Sequence, residues 1–154
     1  MRAATAEDVD DTLDVSVVLP IYNERGHLRT EIDRISTALT ASPYSFEIIV
    51  VDDGSTDQTL AIARRFASQG VTVITQPNQG AAAARNMAFS VSQGDYIQWL
   101  DADDLLAPDK IAKQMHALEQ CSRRTLASSA WASFAYRYYN AEFVPSALWC
   151  DLSP

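Results

Sequence analysis

Apolar and polar positions along this chain follow two rhythms that hand over to each other repeatedly. Val15-Ser16-Val17-Val18-Leu19-Pro20 is a short apolar run that reads as a strand stopped by Pro20. Leu28, Ile32, Ile35 and Leu39 then recur at i, i+4, i+7 and i+11, the helical period, with Asn23 upstream as a candidate cap. Ser42-Pro43 breaks that helix. Phe46–Val51 is a second strand, with β-branched residues on both faces, as in a parallel strand covered from both sides. Ser55-Thr56-Asp57-Gln58 fits a capping box that opens a helix turning Leu60, Ala63, Phe66 and Ala67 inward, and Gly70 suits its left-handed cap. Val71–Ile74 is a third strand. Pro77-Asn78-Gln79-Gly80 turns into an alanine-rich helix over Ala81–Ser92, ended by Gly94, and residues 95–100 form a fourth strand. Pro108 suits the first position of a further helix with Ile111, Met115 and Leu118 on one face. Leu126–Trp131 fits a fifth strand, and the aromatic stretch Phe134–Trp149 suits a hairpin.

Strand and helix alternate, which predicts an α/β fold with a largely parallel sheet flanked by helices. Such sheets bind ligands beyond the carboxyl ends of their strands. That rule brings Pro20–Glu24, Asp52–Ser55, Arg85 and Asp101–Asp103 to one edge. Residues 1–13 read as a flexible acidic lead-in and 14–154 as one domain, since 154 residues suffice for one core and not two.

The fourth strand ends in Asp101-Ala102-Asp103-Asp104. Two carboxylates about 5 Å apart repel by roughly 3 kcal/mol at an effective dielectric near 20. A divalent cation carrying phosphate ligands would offset that cost; acids that merely follow a strand and cap the next helix are the plainer alternative. Tyr22 offers an aromatic face for a nucleobase, and Glu24 a carboxylate for ribose hydroxyls. Local packing and a favourable charge at a helix start would account for the same two residues. Asp53 can accept a hydrogen bond from a base imide, or can simply belong to an Asp-Gly turn. Arg85 suits a nucleotide as well as it suits a solvated helix face.

Net charge is −8, which repels a nucleic-acid backbone, and no basic stripe counters it. Neither G-x-G-x-x-G after the first strand nor G-x-x-x-x-G-K-[ST] is present. His27 and His116 fall on helices, and no Ser/His/Asp set emerges. Cys121 and Cys150 are far apart and read as free thiols of a reducing compartment, or as one disulfide. Residues 1–14 lack the apolar core of a signal peptide, and no apolar run reaches the ~18 residues of a membrane span. A receiver-like protein would place an acidic pair after the first strand, where this chain has Pro20-Ile21-Tyr22.

Four segments together resemble the family 2 glycosyltransferases of GT-A fold: Val17-Val18-Leu19-Pro20-Ile21-Tyr22-Asn23-Glu24, Ile49-Val50-Val51-Asp52-Asp53-Gly54-Ser55-Thr56-Asp57, Gly80-Ala81-Ala82-Ala83-Ala84-Arg85-Asn86 and Trp99-Leu100-Asp101-Ala102-Asp103-Asp104. They stand in the family's order and cover about residues 15–120. The resemblance implies a Rossmann-like GT-A nucleotide-diphospho-sugar transferase fold and a donor that is a nucleoside-diphosphate sugar, usually UDP-linked. It implies that Pro20, Tyr22 and Glu24 line base and ribose, that Asp53 meets the base with Asp52 in support, and that Arg85 lies near the nucleotide. Asp101 and Asp103 would form the DxD motif, with Asp103 the direct ligand of Mg²⁺ or Mn²⁺. Inverting transfer to an acceptor hydroxyl of a glycan follows, as does polysaccharide biosynthesis in the cytoplasm or at the inner membrane face. The family's catalytic base and acceptor site come from a later segment than any recognisable here. Glu142 and Asp151 fall in no such motif, so the catalytic base is unassigned. A nucleotide-sugar-binding or protein-interaction module without transfer is therefore the alternative. The aromatic tail, left uncovered, would be a surface for self-association.

Overall fold

The computed structural model describes residues 12–102, 104–107, 109–119, 121 and 125–127. The chain divides into two units, Met1–Pro108 and Asp109–Pro154. The first holds β1 (Leu13–Ile21), α1 (Leu28–Thr40), β2 (Phe46–Asp52), α2 (Thr59–Arg64), β3 (Val71–Thr75), α3 (Ala81–Val91) and β4 (Gly94–Trp99). All strand pairs are parallel, in the order β3-β2-β1-β4.

β1 and β2 are central, and their two-faced apolar sequences are buried as expected. On one face Val18, Ile49 and Val51 meet Ala84 and Ala88 of α3, with Ile74 and Ile97 at the margin. Alanine lets α3 approach the sheet closely. Strand alternation sends Val17, Leu19, Ile48 and Val50 to the other face, and all four are buried. Leu28, Ile32, Ile35 and Leu39 of α1 are buried at the expected period, as are Ala63 of α2 and Phe66.

Several local expectations are corrected. β1 begins at Leu13, two residues earlier than expected, and runs through Pro20 to Ile21. The Val18 carbonyl accepts the Leu100 N–H, so Pro20, of the same parity, turns its nitrogen toward the side where β4 has already ended. The missing N–H therefore costs no ladder bond. α2 starts at Thr59, later than a Ser55 cap would allow, behind Gln58, whose side chain makes no cap bond; just ahead of it the Asp57 carboxylate accepts the Thr59 N–H at 2.9 Å in a local turn. α2 also stops at Arg64 and tightens into a 3₁₀ turn at Ala67–Gln69, which leaves Ala67 exposed. Gly70 then closes the turn with φ 87°, as expected. Gly94 does not end α3; it is the first residue of β4, pressed against the β1 backbone.

The neighbouring Ser16 hydroxyl donates to Glu47 Oε1 (2.6 Å) and accepts the Gly94 N–H (2.8 Å). Glu47 Oε1 also accepts the Gln93 N–H (2.6 Å). This partly buried polar knot ties β1, β2 and β4 together at the amino edge of the sheet, opposite the loops described below.

In the second unit α4 spans Lys110–Leu118, with Met115 buried and Ile111 and Leu118 half-buried. Pro108 lies outside the described residues. Thr125–Ala127 has no regular structure and Leu126 is 88% exposed, against a strand starting there; residues 128–131, the aromatic tail and the lead-in up to residue 11 lie outside the described residues.

Candidate functional site

The strand order reverses direction between β1 and β4. The chain moves outward from β1 to β2 to β3, then returns to the far side of β1. A crevice beyond the carboxyl ends at such a point is where open parallel sheets bind ligands. Ile21, Asp52 and Thr75 share one register line across β1, β2 and β3, so the loops that follow them leave the sheet at the same level.

The loop after β1 carries Tyr22, 47% exposed, and the half-buried Glu24, above a buried Pro20. Asn23 between them is the one non-glycine residue with positive φ among the described residues (φ 57°). It does not cap α1, which begins at Leu28 behind an N-cap at His27. The Asn23 N–H donates to Ser55 Oγ (2.9 Å), and its Oδ1 accepts the Thr56 N–H (2.9 Å). Asp57 reinforces the join. Its carboxyl is held below the usual aspartate value by the Thr59 hydroxyl and, beyond the cost of partial burial, by the Thr59 N–H, the Arg25 charge and the Arg25 N–H.

The loop after β2 is organised by Asp53, which is 3% exposed. Asp53 Oδ1 accepts the Gln76 side-chain amide (2.8 Å) and the Gln79 N–H (2.9 Å), and Oδ2 accepts the Gly80 N–H (2.7 Å). Burial alone would push this carboxyl up; the bonds from Gln79, Gln76 and Gly80 outweigh it and hold the group below the ordinary aspartate value. Asp53 thereby joins the end of β2 to the start of α3. Gly54, at φ 73°, would press a Cβ to 2.8 Å from the Asn78 nitrogen, so only glycine fits where these two loops touch. Asp52 is 1% exposed; its Oδ2 accepts the Thr75 hydroxyl (3.1 Å), while Oδ1 is buried without a protein partner.

Arg85 projects from α3 and forms an ion pair with the carboxylate of Asp101, just beyond β4. Two residues that lie 16 apart in sequence are thus brought together. Arg85 supplies the compensating charge that the acidic run demands at Asp101. Both side chains are partly exposed, so the pair itself is worth only about 0–1 kcal/mol and exchanges readily. Asp103 lies outside the described residues. Among the described residues no three His, Cys, Asp or Glu side chains converge into a metal cage. A Mg²⁺ or Mn²⁺ held chiefly by substrate phosphates needs only one or two carboxylates, so the hard oxygens of Asp101 suit such an ion.

Asn23 and Ser55 lie in loops the sequence placed at this edge but were read as helix caps; Gln76, Gln79 and Gly80 were not read as site residues at all. The Gly80 position before the helix was a signal for a close turn, but nothing local tied it to Asp53.

Glu31, in the first turn of α1, was also overlooked and is buried. Burial raises its carboxyl above the ordinary glutamate value, opposed by Arg34 and aided by the charge of Asp104. A raised folded value means that Glu31 costs stability once it ionises. Glu31→Gln is therefore expected to raise Tm by a few degrees at pH 7, roughly what a gain below 1 kcal/mol gives. The gain should shrink as pH falls toward 4, which thermal melts at the two pH values check.

The family described as glycosyl transferase family 2 matches residues 16–134. The chain belongs to that family. This family 2 chain is 38% identical over 109 residues to an uncharacterized glycosyltransferase of Haemophilus influenzae, covering 69% of this chain and 42% of the relative. It is 35% identical over 136 residues to the undecaprenyl-phosphate 4-deoxy-4-formamido-L-arabinose transferase of Pseudomonas syringae, covering 82% of this chain and 40% of that protein. Among solved structures it resembles Staphylococcus aureus TarS 1–349 in complex with UDP-GlcNAc, with TM-score 0.60 and 25% identity over 70% of this chain and 32% of TarS 1–349. It also resembles the mannosyltransferase PcManGT of Pyrobaculum calidifontis in complex with GDP-Man and Mn²⁺, with TM-score 0.61 and 30% identity over 70% of this chain and 32% of the other. The chain thus spans less than half the length of these relatives.

Proposed function

We propose that residues 14–154 form the donor-binding half of a GT-A glycosyltransferase that takes a nucleoside-diphosphate sugar, UDP-linked, and passes the sugar to an acceptor hydroxyl with inversion. The observation that carries this reading is the meeting of Arg85 and Asp101 at the point where the strand order reverses, beside the stitched loops of Tyr22, Glu24, Asp52 and Asp53. Sugar nucleotides in the TarS and PcManGT complexes, and Mn²⁺ in the latter, support a donor of this class and a divalent cofactor.

In this reading Tyr22 stacks on the base, with Pro20 beneath the same loop. Glu24 meets the ribose, and Asp53, with Asp52 behind it, faces the base. Arg85 lies toward the nucleotide. Asp103, with Asp101, would hold Mg²⁺ or Mn²⁺, which stabilises charge on the departing diphosphate when bound. The acceptor is a glycan hydroxyl, and the work belongs to polysaccharide assembly in the cytoplasm or at the inner membrane face. No helix among the described residues is long and apolar enough to cross a membrane.

Calorimetric titration of UDP with Mn²⁺ and then with EDTA tests the reading. Binding is expected with metal only, and Asp103→Ala should weaken it at least about tenfold, the loss of a charge-bearing ligand. Equal binding in EDTA, or an unaffected Asp103→Ala, would sink the metal-assisted reading. Transfer to a mixed acceptor pool separates a transferase from a module that only binds; turnover by this chain excludes the latter.

A further inference from the structure

We propose that Asn23 is a positioning residue for nucleotide binding, locking the Tyr22–Glu24 loop onto the Ser55–Asp57 loop. The inference rests on the donor-site reading above and adds to it a residue that contacts no ligand in that reading.

Asn23 does two things that few side chains can do together. It accepts a left-handed backbone, which asparagine tolerates better than other residues with a Cβ. It also presents an amide oxygen to the Thr56 N–H, while its own N–H reaches Ser55 Oγ. The turn at Asn23 leaves Tyr22 exposed on one side and Glu24 half-buried on the other. The Glu24 carbonyl in turn accepts the His27 and Leu28 N–H groups, so the far end of the turn is fixed to the start of α1. The bonds of this one residue, including a longer one from the Thr56 hydroxyl to its Oδ1 (3.4 Å), fix where both candidate ligand-facing groups stand relative to Asp52 and Asp53. The Asp53 N–H donates to the Ile21 carbonyl (2.9 Å), closing the join from the strand side. Through Asp53 the same assembly extends to Gln76, Gln79 and Gly80. A site composed of three loops gains affinity when those loops are held in place before the ligand arrives, because less ordering cost falls on binding.

The variants separate the turn from the clamp. Asn23→Gly keeps the left-handed backbone free of strain and removes the amide bridge. Asn23→Asp keeps both the tolerance and an acceptor oxygen. Ser16→Ala, at the opposite edge of the sheet, loosens the fold without touching the loops. Each is titrated with UDP in the presence of Mn²⁺, and hydrogen exchange is followed at the Thr56 amide. Asn23→Gly is expected to bind UDP about tenfold more weakly, the scale of a small misplacement of positioning groups. Its Thr56 amide should exchange faster. Asn23→Asp should recover affinity to within about threefold and Ser16→Ala should bind as the unsubstituted chain does. Unchanged affinity in Asn23→Gly, equal weakening in Asn23→Asp, or equal weakening in Ser16→Ala would overturn the positioning role. Failure of the unsubstituted chain to bind UDP would instead overturn the donor-site reading, and the positioning role with it. The two failures are distinct, because one is read from the unsubstituted chain and the other from ratios to it.

Discussion

Replacing Gly94 with alanine is expected to destabilise the chain by about 3 kcal/mol or more. A Cβ at this position would stand 2.5 Å from the Ser16 nitrogen, 2.7 Å from the Val15 carbonyl carbon and 2.8 Å from Ser16 Oγ. The first two are backbone atoms of β1, a central strand that pairs with β2 on one side and β4 on the other, and they cannot swing aside as a side-chain end would. Relief requires β4 to move away from β1. That movement breaks the Gly94 N–H bond to Ser16 Oγ and strains the Gln93 bond to Glu47, so the polar knot fails together with the strand pair. Overpacking against backbone in a close-packed core costs about 3 kcal/mol or more, a large share of the stability of a domain this size. Chemical denaturation with the tryptophan and circular-dichroism signals followed together checks it. A loss below about 1 kcal/mol, the level of an ordinary surface change, would show that the β1–β4 contact yields more easily than its geometry implies.

Gly94 also shows where sequence reading stops. Its place after an alanine-rich helix made it look like a helix terminator, a local role that a glycine often fills. Its actual constraint comes from a strand 78 residues earlier, which no window along the chain contains. The parts that were legible depend on local rhythm. The two-faced apolar runs of β1 and β2, the period of α1 and the left-handed cap at Gly70 all carry their reason within a few residues. The same holds for the edge to which Pro20–Glu24, Asp52–Ser55, Arg85 and Asp101 were assigned, because alternation of strand and helix fixes which ends face together. What stayed hidden was the partner of each side chain. Ser55 fits a capping box by spacing, yet it serves the neighbouring loop, and α2 begins behind Gln58, whose side chain makes no cap bond. Asn23 suits a cap by type, yet its amide is spent 33 residues away. The acidic run after β4 demanded a cation, and spacing alone could not say that Arg85 of α3 would stand at Asp101.

The other large effect is expected at Asp53. Asp53→Ala should both destabilise the chain and abolish measurable UDP binding. The carboxylate accepts three hydrogen bonds, from the Gln76 amide and the Gln79 and Gly80 N–H groups, in a nearly buried position. Removing it takes the partner from three donors: the buried Gln76 amide costs about 1–3 kcal/mol unpaired, while Gln79 and Gly80 are exposed and their N–H groups can turn to water. A net loss of about 2 kcal/mol is expected. The consequence for the site is larger than that for the fold. The Gln76–Gly80 segment leads directly into α3, which carries Arg85 to Asp101, so releasing it loosens one wall of the crevice as well as removing the group assigned to the base. pH gives an independent check with a definite sign. The folded Asp53 value is depressed, so its contribution is fully present above the unfolded value near 3.9 and is lost as pH falls through the folded value. The stability gap between the unsubstituted chain and Asp53→Asn, which keeps the shape but not the charge, should therefore be level from pH 7 to about 5 and narrow only below about 4. A gap that already narrows between pH 7 and 5 would mean that Asp53 is not held ionised by those three donors. The order that its bonds impose on the loops would then need another source.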